Sequence, residues 1–266
     1  MKRAATLSMF PMLLSPLLAS ATVCTTASGS RTIPLVELYT SEGCSDCPPA
    51  DRWLSEIAVR EEGEANFLAF HVDYWDEIGW PDRFASRLHT QRQQLRVSRA
   101  GERVIYTPQV MVGEEVTVSW RGGTSTDGNV NRVLQAARTG AAPVTLRMSH
   151  RMVGREAQVT LGVEGRLRDG DDAWVWLAVY EDALFSTVQA GENAGKRLRH
   201  DRVVRVLQGP WKFSRARLAL DVRLALPQEL DPERAGLVAF VESVSNGAPL
   251  QSLGSRLTEC AGTAQS

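Results

Sequence analysis

The stretch YTSEGCSDCPPADRWL, residues 39–54, sets two of the chain's four cysteines in a CxxC pair, follows them with two prolines, and continues into helical spacing. Upstream, PLVELYT (34–40) is a short β-rich run. Downstream, residues 49–60 put Trp53, Leu54, Ile57 and Ala58 on one helical face. Strand, short loop, Cys44-Ser45-Asp46-Cys47 and helix therefore follow in order, with Cys44 at or just before the first helical turn. Unpaired N–H groups and the positive dipole end favour a thiolate at such a place. Cys47, one turn on, is placed to attack a mixed disulfide formed at Cys44. Pro48 and Pro49 fit an early helical turn, where proline removes no needed hydrogen bond. An inert bridge closing so small a loop would remove little chain entropy, which makes it a poor staple. A CxxC close to a βαβ pattern is a redox signature.

Working outward, NFLAFHV (66–72) returns to strand, and a second helix is expected from Asp82 with Phe84, Leu88 and Leu95 at helical spacing. QVMV and VTVSW flank a hairpin signal at Gly113-Glu114-Glu115. A last helix, capped by Thr126 or Asp127, carries Val130, Val133, Leu134 and Ala137 and stops at Gly140. The predicted order over residues 33–140 is β-α-β-α-β-β-α. After Ala141-Ala142-Pro143 the texture changes. VTLRMSH, AQVTLGVEG, AWVWLAVYE, RVVRVLQ, RLALDVRLAL and LVAFVESV are strand-like runs separated by turn-rich pieces. They predict a second, mostly antiparallel β-sandwich-like domain over residues 143–259. AWVWLAVYE is apolar on both alternations, as a central strand covered on both sides would be.

The N-terminus bears on compartment. Met1-Lys2-Arg3 precedes an apolar run that ends in Ala19-Ser20-Ala21, the pattern of a secretory signal peptide over residues 1–21. Pro11 and Pro16 interrupt the run, and no segment reaches membrane-spanning length. A periplasmic or secreted setting follows, where disulfides are permitted. Hydrophobic content of 43% and charged content of 23% are those of a globular chain with a core. A formal net charge of -1 argues against a nucleic-acid partner, which would draw a basic excess.

VELYTSEGCSDC resembles the first strand and active-site turn of glutaredoxins and of the wider thioredoxin superfamily. YTPQVMVG (106–113) resembles that superfamily's cis-proline before a strand, and Gly122-Gly123 falls where glutaredoxin-like chains carry a glycine pair. GCSDCPPAD, HVDYWDEIGWPD, YTPQVMVG and GENAGKRLRHDRVVR together resemble a family of secreted, thioredoxin-like bacterial proteins classed as a domain of unknown function. The resemblance implies an α/β thioredoxin-like domain at 33–140. It also implies a cis Pro108 beside the dithiol, with backbone groups of Thr107 free to pair with an extended substrate segment.

The expected activity is thiol–disulfide exchange on a protein, or on a small thiol or disulfide. Cys44 attacks, Cys47 resolves, and Thr107 with Pro108 orients the substrate. No cofactor is required, because the dithiol carries the electrons. Glu42 and Asp46 flank Cys44, and their charge opposes the helix end, so the reductase or isomerase direction is favoured over strong oxidation. Glu37 is either a proton relay or a residue on a solvated sheet face. His71, Asp73 and Trp75, in the aromatic and acidic stretch 71–82, form either a rim over the CxxC or a packed loop. His200 reads as a satisfied strand-edge histidine. Two other classes compete: a metal-binding or metallochaperone module using Cys44, Cys47 and His71, and a partner-binding protein without catalysis. Cys24 and Cys260 are left over, and in an oxidising compartment they are expected to form a structural disulfide; lipidation of Cys24 is disfavoured by Val23.

Overall fold

A computed structural model describes residues 23–121, 129–214 and 216–258. The expected signal segment at 1–21, Gly122-Gly123, the expected cap positions Thr126 and Asp127, and Cys260 lie outside the described residues. The chain runs β1 (Cys24–Ala27), β2 (Leu35–Thr40), α1 (Cys47–Arg60), β3 (Asn66–His71), α2 (Arg87–Arg99), β4 (Gln109–Val112) and α3 (Val130–Arg138). Then come β5 (Val144–Val153), β6 (Glu156–Gly165), β7 (Ala173–Glu181), β8 (Leu184–Thr187) and β9 (Arg197–His200). The last strands are β10 (Val203–Phe213), β11 (Arg217–Ala225), β12 (Ala235–Ser243) and β13 (Pro249–Arg256).

The expected fold class, an α/β thioredoxin-like domain followed by a β-sandwich-like domain, is overturned. Among the described residues thirteen strands stand against three α-helices, and the largest sheet has the order β13-β12-β7-β10-β3-β2-β4. Strands from both parts of the chain share that sheet, so the fold is mostly β. The joint is parallel: Val203 of β10 lies beside Ala69 of β3, and the Ala69 N–H donates to the Arg202 carbonyl at 2.8 Å. The physical reason lies in β3. Its sequence NFLAFH is buried from Phe67 onward, so its second hydrogen-bonding edge must find a partner away from water. Local periodicity announces such a strand but says nothing of its neighbour.

The other two sheets are β1-β5-β6-β11 and the pair β8-β9. One core cluster fills the space between the four-stranded sheet (Leu146, Met148, Leu161, Val163) and one face of β7 and β12 (Val175, Leu177, Leu237, Ala239). The opposite face of β7 and β12, with Trp176, Ala178 and Phe240, packs with Leu35, Tyr39, Leu68 and Phe70 of β2 and β3. A third cluster joins α1 (Leu54, Ile57) and α3 (Val133, Leu134) to the remaining face of β2 and β3 (Leu38, Phe67).

Helix α2 is inverted relative to expectation. It starts at Arg87, capped by the Ser86 hydroxyl, which accepts from the Leu88 N–H, and it leaves Leu88 and Leu95 exposed. The buried face carries His89, Arg92, Gln93 and Arg96 instead. Arg92 meets Glu37 of β2 and Glu242 of β12, and Arg96 Nε donates to Glu37 Oε2 at 3.1 Å. Buried charges persist only when paired, and the Arg92–Glu242 pair again joins the two parts of the chain.

Candidate active site

The site begins where β2 ends. A turn, with Cys44 N–H donating to the Ser41 carbonyl and Cys47 N–H to the Cys44 carbonyl, carries the chain into α1. Pro48 and Pro49 occupy the opening turn of that helix. Cys44 and Cys47 are free thiols, 3% and 0% exposed. Cys44 Sγ lies 3.7 Å from the Thr107 carbonyl, and the Thr107–Pro108 peptide is cis. Trp75 Nε1 donates to Thr107 Oγ1 at 2.7 Å. Gly43 lets the loop press against Trp75, since a Cβ there would lie 3.1 Å from the Trp75 Cβ.

The surroundings shift the two thiols in opposite directions. The hydrogen bond from the Cys47 thiol, aided by the Thr107 hydroxyl and the Asp46 and Cys47 N–H groups, outweighs burial and brings Cys44 down to about 7. Burial, its bond to Cys44 and the charge of Asp51 push Cys47 well up. The carboxylates flanking Cys44 in sequence play no such part. Glu42 turns inward to accept from Trp80 Nε1 at 2.8 Å, and Asp46 faces solvent 3.5 Å from Arg121.

Of the expected site residues, Cys44, Cys47, Thr107, Pro108 and Trp75 come together. Glu37 does not: burial would raise its pKa, but Arg92 and Arg96 hold it low in the core. His71 is buried with Nδ1 at 2.6 Å from Asp82 Oδ2, and Asp73 accepts from the Thr90 hydroxyl on α2. Neither forms a rim over the dithiol. Among the described residues no group of three or more His, Cys, Asp or Glu side chains is arranged to hold a metal ion. Nor is any described helix long and apolar enough to cross a membrane. Cys24 is disulfide-bonded; Cys260, its expected partner, lies outside the described residues.

Sequence reasoning missed the part of the site supplied by residues 191–200. Asn193, fully buried, donates from Nδ2 to the Glu42 carbonyl at 2.8 Å and the Cys44 carbonyl at 2.9 Å. Lys196 Nζ donates to Asn193 Oδ1 at 2.9 Å, which fixes the orientation of the amide. Glu192 accepts from the Ser45 N–H. His200 of β9 sits between Asp51 of α1 and Glu42, at 3.3 and 3.2 Å, and the Thr40 hydroxyl donates to Asp51 Oδ1 at 2.8 Å. Asp51 had one legible signal, its place one helical turn after Cys47. Asn193 and His200 lie in a stretch whose family resemblance was visible but whose spatial neighbour was not.

These features define a mostly β protein with a buried CxxC pair at a helix start, walled by a loop from its second half. The chain belongs to the DUF1223 family, described as proteins of unknown function, whose model matches residues 35–242. A crystal structure of a protein from Agrobacterium tumefaciens is 23% identical, with a TM-score of 0.60 over 90% of this chain and 100% of that one. HBP35 of Porphyromonas gingivalis is 13% identical, with a TM-score of 0.65 over 90% of this chain and 79% of its own. At these identities the likeness is one of fold alone. No curated protein matches the chain.

Proposed function

We propose that the protein is a thiol–disulfide oxidoreductase acting on a protein or small-molecule disulfide outside the cytoplasm. The observation that carries this reading is the pair of free, buried thiols at the start of α1, with Cys44 Sγ 3.7 Å from the Thr107 carbonyl; the same surroundings lower Cys44 to about 7 and raise Cys47. The Cys44 thiolate attacks one sulfur of the substrate disulfide, and the other sulfur leaves as a thiolate. Cys47 then loses its proton and attacks Cys44 Sγ. The second substrate thiolate departs and an intramolecular disulfide remains, so two electrons have passed to the substrate. Asp51, one turn beyond Cys47 and acting on it electrostatically, is the nearby carboxylate suited to take that proton. An attacking thiol titrating near neutral pH suits exchange in the reductase or isomerase direction. Thr107, beside Cys44, supports a role in aligning the substrate chain. The leader-like residues 1–21 support a periplasmic or secreted setting.

The test is trapping. A Cys47→Ser variant should accumulate mixed disulfides at Cys44, and the native protein should accelerate insulin reduction by dithiothreitol while Cys44→Ser should not. If Cys44 captures nothing and insulin reduction is not accelerated, the reading fails.

A further inference from the structure

His200 lies more than 150 positions from the dithiol in sequence, yet it is packed against Glu42 and Asp51, residues within four positions of the two cysteines. The imidazole is 1% exposed, with Nδ1 at 3.3 Å from Asp51 Oδ2 and Nε2 at 3.2 Å from Glu42 Oε1. Both of its nitrogens therefore face carboxylates. Asp51 is held at its other oxygen by the Thr40 hydroxyl, and Glu42 at its other oxygen by Trp80. The titratable groups around the ring come from four elements: Asp51 on α1, Glu42 after β2, His71 on β3 with rings 4.9 Å apart, and Asp82 before α2, paired to His71. Burial would strip the proton from His200, but the Asp51 and Glu42 carboxylates beside its two nitrogens outweigh it and lift the imidazole to about 10.

We propose that His200 is a positioning residue for the resolving half of the exchange: its cation lies between Asp51 and Glu42 and leaves the Asp51 carboxylate available to the proton of Cys47. This rests on the exchange reading above. Without the cation, the two buried carboxylates on either side of the ring lose the positive charge between them, and burial then favours the protonated form of each. Asp51 could not then accept from Cys47 near neutral pH. The attack by Cys44 would be spared, since its acidity is set by Cys47, Thr107 and the helix-start N–H groups.

The experiment uses the reduced full-length protein and 5,5′-dithiobis(2-nitrobenzoate) in stopped flow. Attack by Cys44 releases one thionitrobenzoate and leaves the other on Cys44. Attack by Cys47 on Cys44 Sγ releases the second and forms the Cys44–Cys47 disulfide. In His200→Asn the first release should keep its rate, and the second should slow about 100-fold at pH 7, the loss expected when a proton acceptor is disabled. It should recover at higher pH, with a midpoint shifted up by at least about one unit. Adding Glu42→Gln to His200→Asn removes the competing carboxylate and should restore much of the second release, which a merely structural role for His200 would not do. Should His200→Asn fail to fold, Glu42→Gln alone carries the test: Asp51 then has the cation to itself, and the midpoint of the second release should move down. A second release unchanged in His200→Asn, or a midpoint moved up in Glu42→Gln, overturns the inference. A native protein with no first release overturns the exchange reading itself, so the two failures are distinguishable.

Discussion

Replacing Asn193 by Ala removes the clamp between residues 191–196 and the CxxC loop. The Glu42 carbonyl, in a fully buried residue, loses the side-chain donor that faces it. The Cys44 carbonyl keeps only the bond from the Cys47 N–H, at 3.2 Å. One orphaned buried acceptor costs about 1–3 kcal/mol, and one lost bond with a surviving partner about 1 kcal/mol. The sum, about 2–4 kcal/mol, should lower Tm by roughly 4–16 °C in a chain of this size. The loosened loop should also let the Asp46 and Cys47 N–H groups drift from the Cys44 sulfur, moving its titration up from about 7 towards the ordinary thiol range. Circular-dichroism melts give the first quantity, and thiolate absorbance against pH gives the second. A variant melting within about 1 °C of the native protein, with Cys44 titrating as before, would refute the clamp.

Two further outcomes are expected. Arg92→Met leaves Glu37 and Glu242 partly uncompensated in the core, and should cost about 3–5 kcal/mol, read as a lowered urea midpoint at unchanged slope. His200, raised from 6.5 to about 10 by Asp51 and Glu42 despite its burial, contributes stability that is whole below about pH 6.5 and is lost as pH rises through about 10. The stability gap between the native protein and His200→Asn should therefore shrink across that window, by up to about 5 kcal/mol. A gap constant from pH 6.5 to 10 would contradict the placement of His200 between two carboxylates.

What was legible in the sequence is what depends on near neighbours. The CxxC pair, the prolines that open α1 and the apolar positions Leu54, Ile57 and Ala58 are local signals, and they stand in the structure as elements that position the dithiol. AWVWLAVYE reads as a strand covered on both sides, and β7 has Leu177 on one core cluster and Trp176 on another. The failures are non-local. Leu88 and Leu95 marked the expected inner face of α2, yet the buried face is the one bearing Arg92 and Arg96. Their partners Glu37 and Glu242 lie far away in sequence, and no helical periodicity encodes a distant carboxylate. The α/β expectation failed for the same reason, since the pairing of β3 with β10 leaves no mark on either strand alone. Glu37 shows how this misplaces chemistry: beside a CxxC strand it suggests a relay, and only the position of α2 shows it to be a core anchor.

The shared sheet also sets the order in which the protein can be completed as it is made. Ala69 of β3 finds Val203 of β10 some 130 positions later. At a synthesis rate of about 5–20 residues per second, β3 waits about 7–26 s for that neighbour. Throughout that interval the ribosome carries a nascent chain whose hydrophobic β3 shows an unpaired edge, the state most prone to join another copy. Asn193 and His200 emerge only near the end of the wait, so neither the clamp on the CxxC loop nor the imidazole beside Asp51 is present while the first half stands alone. A chaperone that shields exposed strands is therefore expected to govern the yield of this protein in the cell.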